Sequence, residues 1–258
     1  MEQAAKISVE GHRRAMAYCK PGIKEYELEA ELLYTFTRRG SRAPAYTSIV
    51  AAGDNACTLH YNSNDGDVKE GDLVLIDAGC EYGHYASDIT RTFPASGKFS
   101  LEQKVIYQIV LDAQTAAIEA VKPGAAWDAP HNASVKVIVQ GLVKIGLLKG
   151  RVATLVKDEA YKDFYMHKVG HWIGMDVHDV GDYKIDDKWR ILEEGMVTTI
   201  EPGIYISPDN KKVSKKWRGI GVRIEDDVLV TKKGHRILSA GTPKTVAEIE
   251  TYMAEPVN

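Results

Sequence analysis

A ten-residue pattern occurs twice in this chain. Glu194-Gly195-Met196-Val197-Thr198-Thr199-Ile200-Glu201-Pro202-Gly203 lies over Glu70-Gly71-Asp72-Leu73-Val74-Leu75-Ile76-Asp77-Ala78-Gly79 without a gap, matching Glu to Glu, Gly to Gly twice, and Asp77 to Glu201. Each copy is an extended apolar run that ends in an acid shortly before a glycine. Each follows the same punctuation, a helical stretch, Lys-Pro-Gly (Lys20-Pro21-Gly22, then Lys122-Pro123-Gly124), and a second helical stretch. A repeat of this kind is an internal duplication. It restricts the chain to two similar halves, each a helix pair and a hairpin, joined about a pseudo-twofold axis. Such halves make an α+β fold, a mainly antiparallel sheet flanked by helices. Nothing between them reads as a flexible linker, so residues 1–258 are expected to form one domain.

The elements can be bounded. Residues 2–19 carry Ala5, Val9, Ala15 and Ala17 among charges and end at Pro and Gly, which predicts a helix. Tyr26, Leu28, Leu32, Leu33 and Phe36 predict a second helix that stops at Gly40. Tyr46 to Val50 reads as a strand. Ser100 and Gln103 form a capping box for a helix over 101–121, and Val135, Ile138, Val139, Leu142 and Val143 mark another over 127–147.

The hairpins carry the chemistry. Leu73 to Gly79 and Ala86 to Phe93, folded about a turn at Tyr82-Gly83, would set Asp77 opposite Asp88. Like charges facing each other on a sheet repel, and a desolvated carboxylate persists only when paired, protonated or bound to a cation. The bland reading is a solvated hairpin whose acids face water. The second half argues against it, because Gly221 to Val230 supplies a partner strand with Glu225 standing to Glu201 as Asp88 stands to Asp77. Four carboxylates then converge, and the expected cation is a metal.

Composition bounds the rest. The chain is 44% hydrophobic and 27% charged, with a net charge of -3, which gives no electrostatic reason to expect nucleic acid or a membrane as partner. Lys211, Lys212, Lys215 and Lys216 read as a solvated loop. No apolar run is long enough to span a bilayer. Three cysteines, Cys19, Cys57 and Cys80, have no CxxC spacing and suggest neither a disulfide framework nor a zinc-thiolate site, so a reducing cytoplasm is expected. Of eight histidines, His167, His171 and His178 cluster within twelve residues. His12, His84, His131 and His235 are isolated and read as surface residues. His60 is read as structural or functional alike.

The segments LVLIDAGCEYGHYASDITRTFP, HWIGMDVHD, EPGIYI and RGIGVRIEDD together resemble the pita-bread metallopeptidases, peptidase family M24, and within them the Xaa-Pro aminopeptidase (aminopeptidase P) branch. The likeness runs along essentially the whole chain. It implies the pita-bread (creatinase/aminopeptidase) fold and two divalent ions held by Asp77, Asp88, His171, Glu201 and Glu225, with Asp88 and Glu225 bridging. The oxygen-rich ligand set favours manganese, with zinc, cobalt or iron as alternatives. The implied reaction is hydrolysis of the bond between an N-terminal residue and a following proline by a metal-bridging hydroxide.

The resemblance also implies roles. Glu201 would shuttle a proton, His178 and His60 would contact substrate near the scissile bond, and His167 would line the leaving-group side. Arg223 would hold a metal-ligating carboxylate, and Tyr205 is a candidate for the same network or a core tyrosine. Lys168 departs from the pattern, standing where a small residue, usually Gly, is expected. The additional N-terminal domain of typical relatives is absent from this sequence, and a homo-oligomer is expected from its exposed faces. Two alternatives stand beside this reading, a prolidase acting on Xaa-Pro dipeptides and a non-catalytic pita-bread module that binds a protein. Methionine aminopeptidase fits less well, because the segments after His171 and Glu201 read like the proline branch.

Overall fold

The computed structural model describes residues 1–255. Helices α1 (Glu2–Tyr18) and α2 (Glu25–Arg38) open the chain. Strands β1 (Ala43–Pro44), β2 (Ile49–Ala52), β3 (Leu73–Asp77), β4 (Cys80–Glu81) and β5 (Thr90–Pro94) follow. Helices α3 (Leu101–Ala120), α4 (Ala129–Lys144) and the short α5 (Val152–Lys157) come next. The second set of strands is β6 (Lys184–Ile185), β7 (Lys188–Trp189), β8 (Val197–Ile200), β9 (Gly203–Ile206), β10 (Ile220–Arg223), β11 (Asp226–Thr231) and β12 (Gly234–Ile237), before helix α6 (Val246–Ala254).

The helix pairs α1/α2 and α3/α4 fall where the apolar periodicity puts them. The Ser100–Gln103 capping box forms, each side chain bonding the other's backbone N–H. The buried face of α1 is Ala4, Ala5, Ile7, Ser8, Gly11, His12, Ala15 and Met16, so Val9 and Ala17 lie at its margin. On α2, Leu28, Leu32 and Phe36 are buried, whereas Tyr26 and Leu33 face outwards at 52% and 37% exposure. The predicted strand over 46–50 begins only at Ile49, which leaves Tyr46 in the preceding loop.

The first three-stranded sheet has the order β2-β3-β5 and the second β12-β11-β8, all neighbours antiparallel. The first hairpin corrects the sequence reading of its register. The turn is centred on Gly83-His84, both with positive φ (59° and 68°), and Tyr82 bridges Tyr85. A two-residue hairpin turn takes left-handed backbone at its central residues, which Gly adopts freely, whereas a turn at Tyr82-Gly83 would place a bulky aromatic there. Asp77 therefore pairs with Thr90 rather than Asp88, and the segment before β5 that bears Asp88 runs close to Gly79. A Cβ on Gly79 would stand 1.7 Å from the Ser87 carbonyl oxygen, so this close approach requires glycine.

In the second half the register of β8 with β11 (Ile200↔Asp226) continues unchanged into β9 with β10 (Gly203↔Arg223). The ladder is interrupted at Glu201-Pro202 on one strand and Ile224-Glu225 on the other. Pro202 has no N–H to contribute there. Glu201 and Glu225 thus face one another in a gap in the ladder, and Asp77 ends β3 at the corresponding point.

The register also corrects the expected equivalence of Asp88 and Glu225. Ile76 pairs with Arg91 and Ile200 with Asp226, so the repeat relates Arg91 to Asp226, Thr90 to Glu225, and Asp88 to Arg223. The related residues meet at the junction of the halves: Glu225 N donates to Thr90 O at 3.0 Å, and Thr90 Oγ1 donates to Glu225 Oε2 at 2.6 Å. A continuous apolar core runs from α1 and α2 through β3 to α3, α4 and β10.

Candidate metal centre

Asp88, His171 and Glu225 each offer one ligand atom within 4.8 Å of the others, in a partly buried group drawn from both halves. Glu201 Oε1 lies 3.7 Å from His171 Nε2, and Asp88 Oδ2 lies 3.4 Å from the same nitrogen. Asp77 joins through Tyr46, whose hydroxyl lies 2.6 Å from Asp77 Oδ1 and 2.5 Å from Asp88 Oδ1. All five predicted ligands line one cleft of about 550 Å3, with His60, His167, His178 and Arg223. Tyr205 sits behind the wall, 2% exposed.

Local chain geometry places His171. The segment from Val169 to Trp172 lies along β8: Glu201 N donates to Val169 O at 2.7 Å, Thr199 N to His171 O at 3.0 Å, and His171 N to Thr199 Oγ1 at 3.1 Å. A Cβ on Gly170 would come within 1.9 Å of Thr199 O, so glycine permits this approach. His171 Nδ1 donates to Trp172 O at 2.9 Å, which turns Nε2 towards the carboxylates and makes it the nitrogen that can ligate once its proton is lost. That is how a metal-ligating imidazole is held.

Burial, then the charge of Asp77, pushes Asp88 up to about 6, and burial lifts Glu201 to about 7 and Glu225 well above the carboxylate range. Burial opposes charge on His171 too, but the hydrogen bond and charge of Asp88 and the charge of Glu201 outweigh it and raise the ring to about 9. For Asp77, burial is overcome by Arg223 and Tyr46, which hold it low. A buried group of acids that must take up protons in the absence of a cation is a donor set suited to divalent ions.

Behind the ligands runs a supporting chain. Arg223 donates to Asp77 Oδ2 at 2.7 Å, to Tyr205 Oη at 2.9 Å and to Thr90 Oγ1 at 3.3 Å. His167 Nδ1 donates to Lys168 O at 2.8 Å, so its Nε2 accepts from the Tyr205 hydroxyl at 2.9 Å. Burial and Arg223 lower His167 to about 3, keeping it neutral. His178 packs edge-on to His171, ring centroids 4.3 Å apart, and burial and His171 lower it as well.

Two residues of the site escaped the sequence reading. Thr90 left a trace, since Asp88, Thr90 and Thr92 fall on alternate positions and so share one face of the chain. Tyr46 left none, because its position three residues before Ile49 acquires meaning only once Ile49 is paired with Asp77. His12, read as a surface residue, is instead fully buried and bonds Ala78 O through Nε2 at 2.9 Å.

Residues 1–232 match the metallopeptidase family M24. The chain is 53% identical over 253 residues to a Xaa-Pro aminopeptidase of Haemophilus influenzae, covering 98% of this chain and 58% of that protein. It is 40% identical over 282 residues to a human Xaa-Pro dipeptidase, covering 96% of this chain and 57% of the relative. The solved structure of Pseudomonas aeruginosa aminopeptidase PepP superposes with a TM-score of 0.98 at 61% identity, over 98% of this chain and 57% of that one. The fold is thus the pita-bread fold of the aminopeptidase P structures, and the chain belongs to metallopeptidase family M24. It spans a little under three-fifths of the length of these relatives. Among the described residues no helix is long and apolar enough to cross a membrane.

Proposed function

We propose that this chain is the catalytic domain of a two-metal aminopeptidase that hydrolyses the bond between an N-terminal residue and a following proline. The observation that carries the reading is the convergence of Asp88, His171 and Glu225, with Asp77 and Glu201 beside them, in one cleft. The names of the relatives supply the substrate class, since one is a Xaa-Pro aminopeptidase and another a Xaa-Pro dipeptidase.

In this reading Asp77, Asp88, His171, Glu201 and Glu225 would hold two divalent ions. Four carboxylates and one imidazole are a hard set that suits manganese, with zinc, cobalt or iron as substitutes. When bound, two such ions supply Lewis-acid polarisation of a carbonyl and an acidified water. Glu201 moves a proton towards the proline nitrogen as the amide bond breaks. His178 donates to the oxygen on which charge develops, and His60 orients the substrate near the scissile bond. His167, held neutral, lines the leaving-group side. Arg223 and Tyr205 keep Asp77 and His167 in place, and Tyr46 spans Asp77 and Asp88.

The free thiols of Cys19, Cys57 and Cys80 favour a reducing cytoplasm. The dipeptidase relative favours a second reading, a prolidase restricted to Xaa-Pro dipeptides. Retention of every ligand argues against a purely protein-binding module.

Manganese-loaded protein is expected to cleave Xaa-Pro-Xaa tripeptides, with Asp88→Ala abolishing turnover while a stoichiometric metal assay shows lost metal. Full turnover by Asp88→Ala, or after complete chelation, would overturn the mechanism. Activity on dipeptides alone would select the prolidase.

A further inference from the structure

Lys168 stands on the wall between two cavities. One is the cleft described above, and the other, of about 480 Å3, is lined mainly by apolar groups including Trp127, Tyr183, Trp189 and Leu192. Histidines aside, the cations that line the cleft are Arg223 and Lys168. Arg223 is 3% exposed and committed to Asp77, Tyr205 and Thr90. Lys168 is exposed, and none of the ion pairs among the described residues includes it. Its carbonyl is bonded to His167 Nδ1, so its backbone is tied to the ring on the leaving-group side.

We propose that the Lys168 ammonium binds the C-terminal carboxylate of a short substrate, the group at the far end of the leaving portion. The proposal deepens the peptidase reading and rests on it. The acids of the cleft are committed to the proposed metal centre, which leaves Lys168, among the described residues, as the cation without an ion pair on this wall. Lysine is a compact charge on a flexible stem, suited to following a carboxylate at more than one distance. The carboxylate can belong to the proline of a dipeptide or to the third residue of a tripeptide, and the two are separable by experiment.

The test compares kcat/KM of the manganese-loaded protein on an Xaa-Pro dipeptide, an Xaa-Pro-Xaa tripeptide and the same two peptides as C-terminal amides. Wild type is expected to favour each acid it recognises over its amide by about fivefold, the upper scale of an exposed ion pair. The preference should lie in KM and shrink as salt is raised. Lys168→Met is expected to bring the ratio near one, while Lys168→Arg keeps it. Whichever acid loses its preference in Lys168→Met identifies the source of the carboxylate. An acid-to-amide ratio equal in wild type and Lys168→Met overturns the proposal and leaves the peptidase reading intact. Wild-type protein that cleaves none of these peptides overturns the peptidase reading, and the proposal with it.

Discussion

Arg91 Nη2 and Asp226 Oδ1 form an ion pair 2.7 Å long between two side chains with no solvent exposure, and they occupy equivalent positions in the two halves. The duplication has therefore placed opposite charges at one repeat position, where they bind the halves together. Arg91 also donates to the Glu225 carbonyl at 2.6 Å, and Asp226 accepts from Ser239 at 2.6 Å, Lys244 at 2.8 Å and Gln114 at 3.0 Å. Burial works to raise Asp226, but Arg91 and Lys244 overcome it and hold the acid down at about 2.

Removing one partner from such a pair leaves the other charge buried. Asp226→Ala is expected to destabilise the protein by about 3–5 kcal/mol. Lys244→Ala, at the partly exposed edge of the same network, should cost about 1 kcal/mol. Urea unfolding monitored by circular dichroism measures both, and equal losses would mean that the Arg91 contact contributes nothing special.

Tyr46→Phe removes one oxygen from between Asp77 and Asp88. Metal affinity is expected to fall by about 10–100-fold, the usual loss when a group that orients a ligand is deleted. Isothermal titration with manganese gives the affinity, and an unchanged circular dichroism spectrum separates this from unfolding. Affinity equal to wild type would show that the hydroxyl does not order the two acids.

Metal binding should weaken as pH falls, because protons compete for the raised carboxylates. With Asp88 near 6, Glu201 near 7 and the His171 ring near 9, all of which must release protons to ligate, affinity is expected to drop by well over about tenfold between pH 8 and pH 6. In metal-free protein the linkage has a definite sign. These acids hold protons in the folded state that the unfolded chain gives up, so their contribution to stability is full below the ordinary carboxylate range and is lost as pH rises through 6 to 7. Loading with metal should remove that loss, and thermal unfolding of both forms at pH 5 and pH 8 makes the comparison.

His12 has the opposite signature. Burial lowers its ring to about 4, so the unfolded chain takes up the proton first, and the contribution of His12 is full above 6.5 and declines as pH falls towards 4. His12→Gln keeps a donor for Ala78 O but does not titrate. Relative to wild type, the variant should gain about 3 kcal/mol between pH 8 and pH 4. Parallel stability curves for the two proteins would refute this assignment.

Much of the candidate site is legible in the sequence because its expected ligands lie at points of local conflict. An acid ending an apolar strand, as at Asp77, or standing before a proline in one, as at Glu201, breaks the strand pattern visibly. Tyr46 breaks no such pattern. His12 occupies a buried helical position like its neighbours Ser8 and Ala15, and what it meets there, Ala78, belongs to a distant strand. The Asp77–Asp88 confrontation was expected from a turn placed one residue too early, and the positive φ of His84 moved it.

The sequence by itself determined the four main helices, the duplicated hairpins and the acids at their breaks, because periodicity, capping and turn chemistry act over a few residues. Only the tertiary structure decided the register that sets Thr90 against Asp77, the seating of Tyr46 between two acids, and the pairing of Arg91 with Asp226. Those contacts join residues from 13 to 135 positions apart, and nothing local distinguishes the right partner from others of the same chemistry until the sheets and helices are packed.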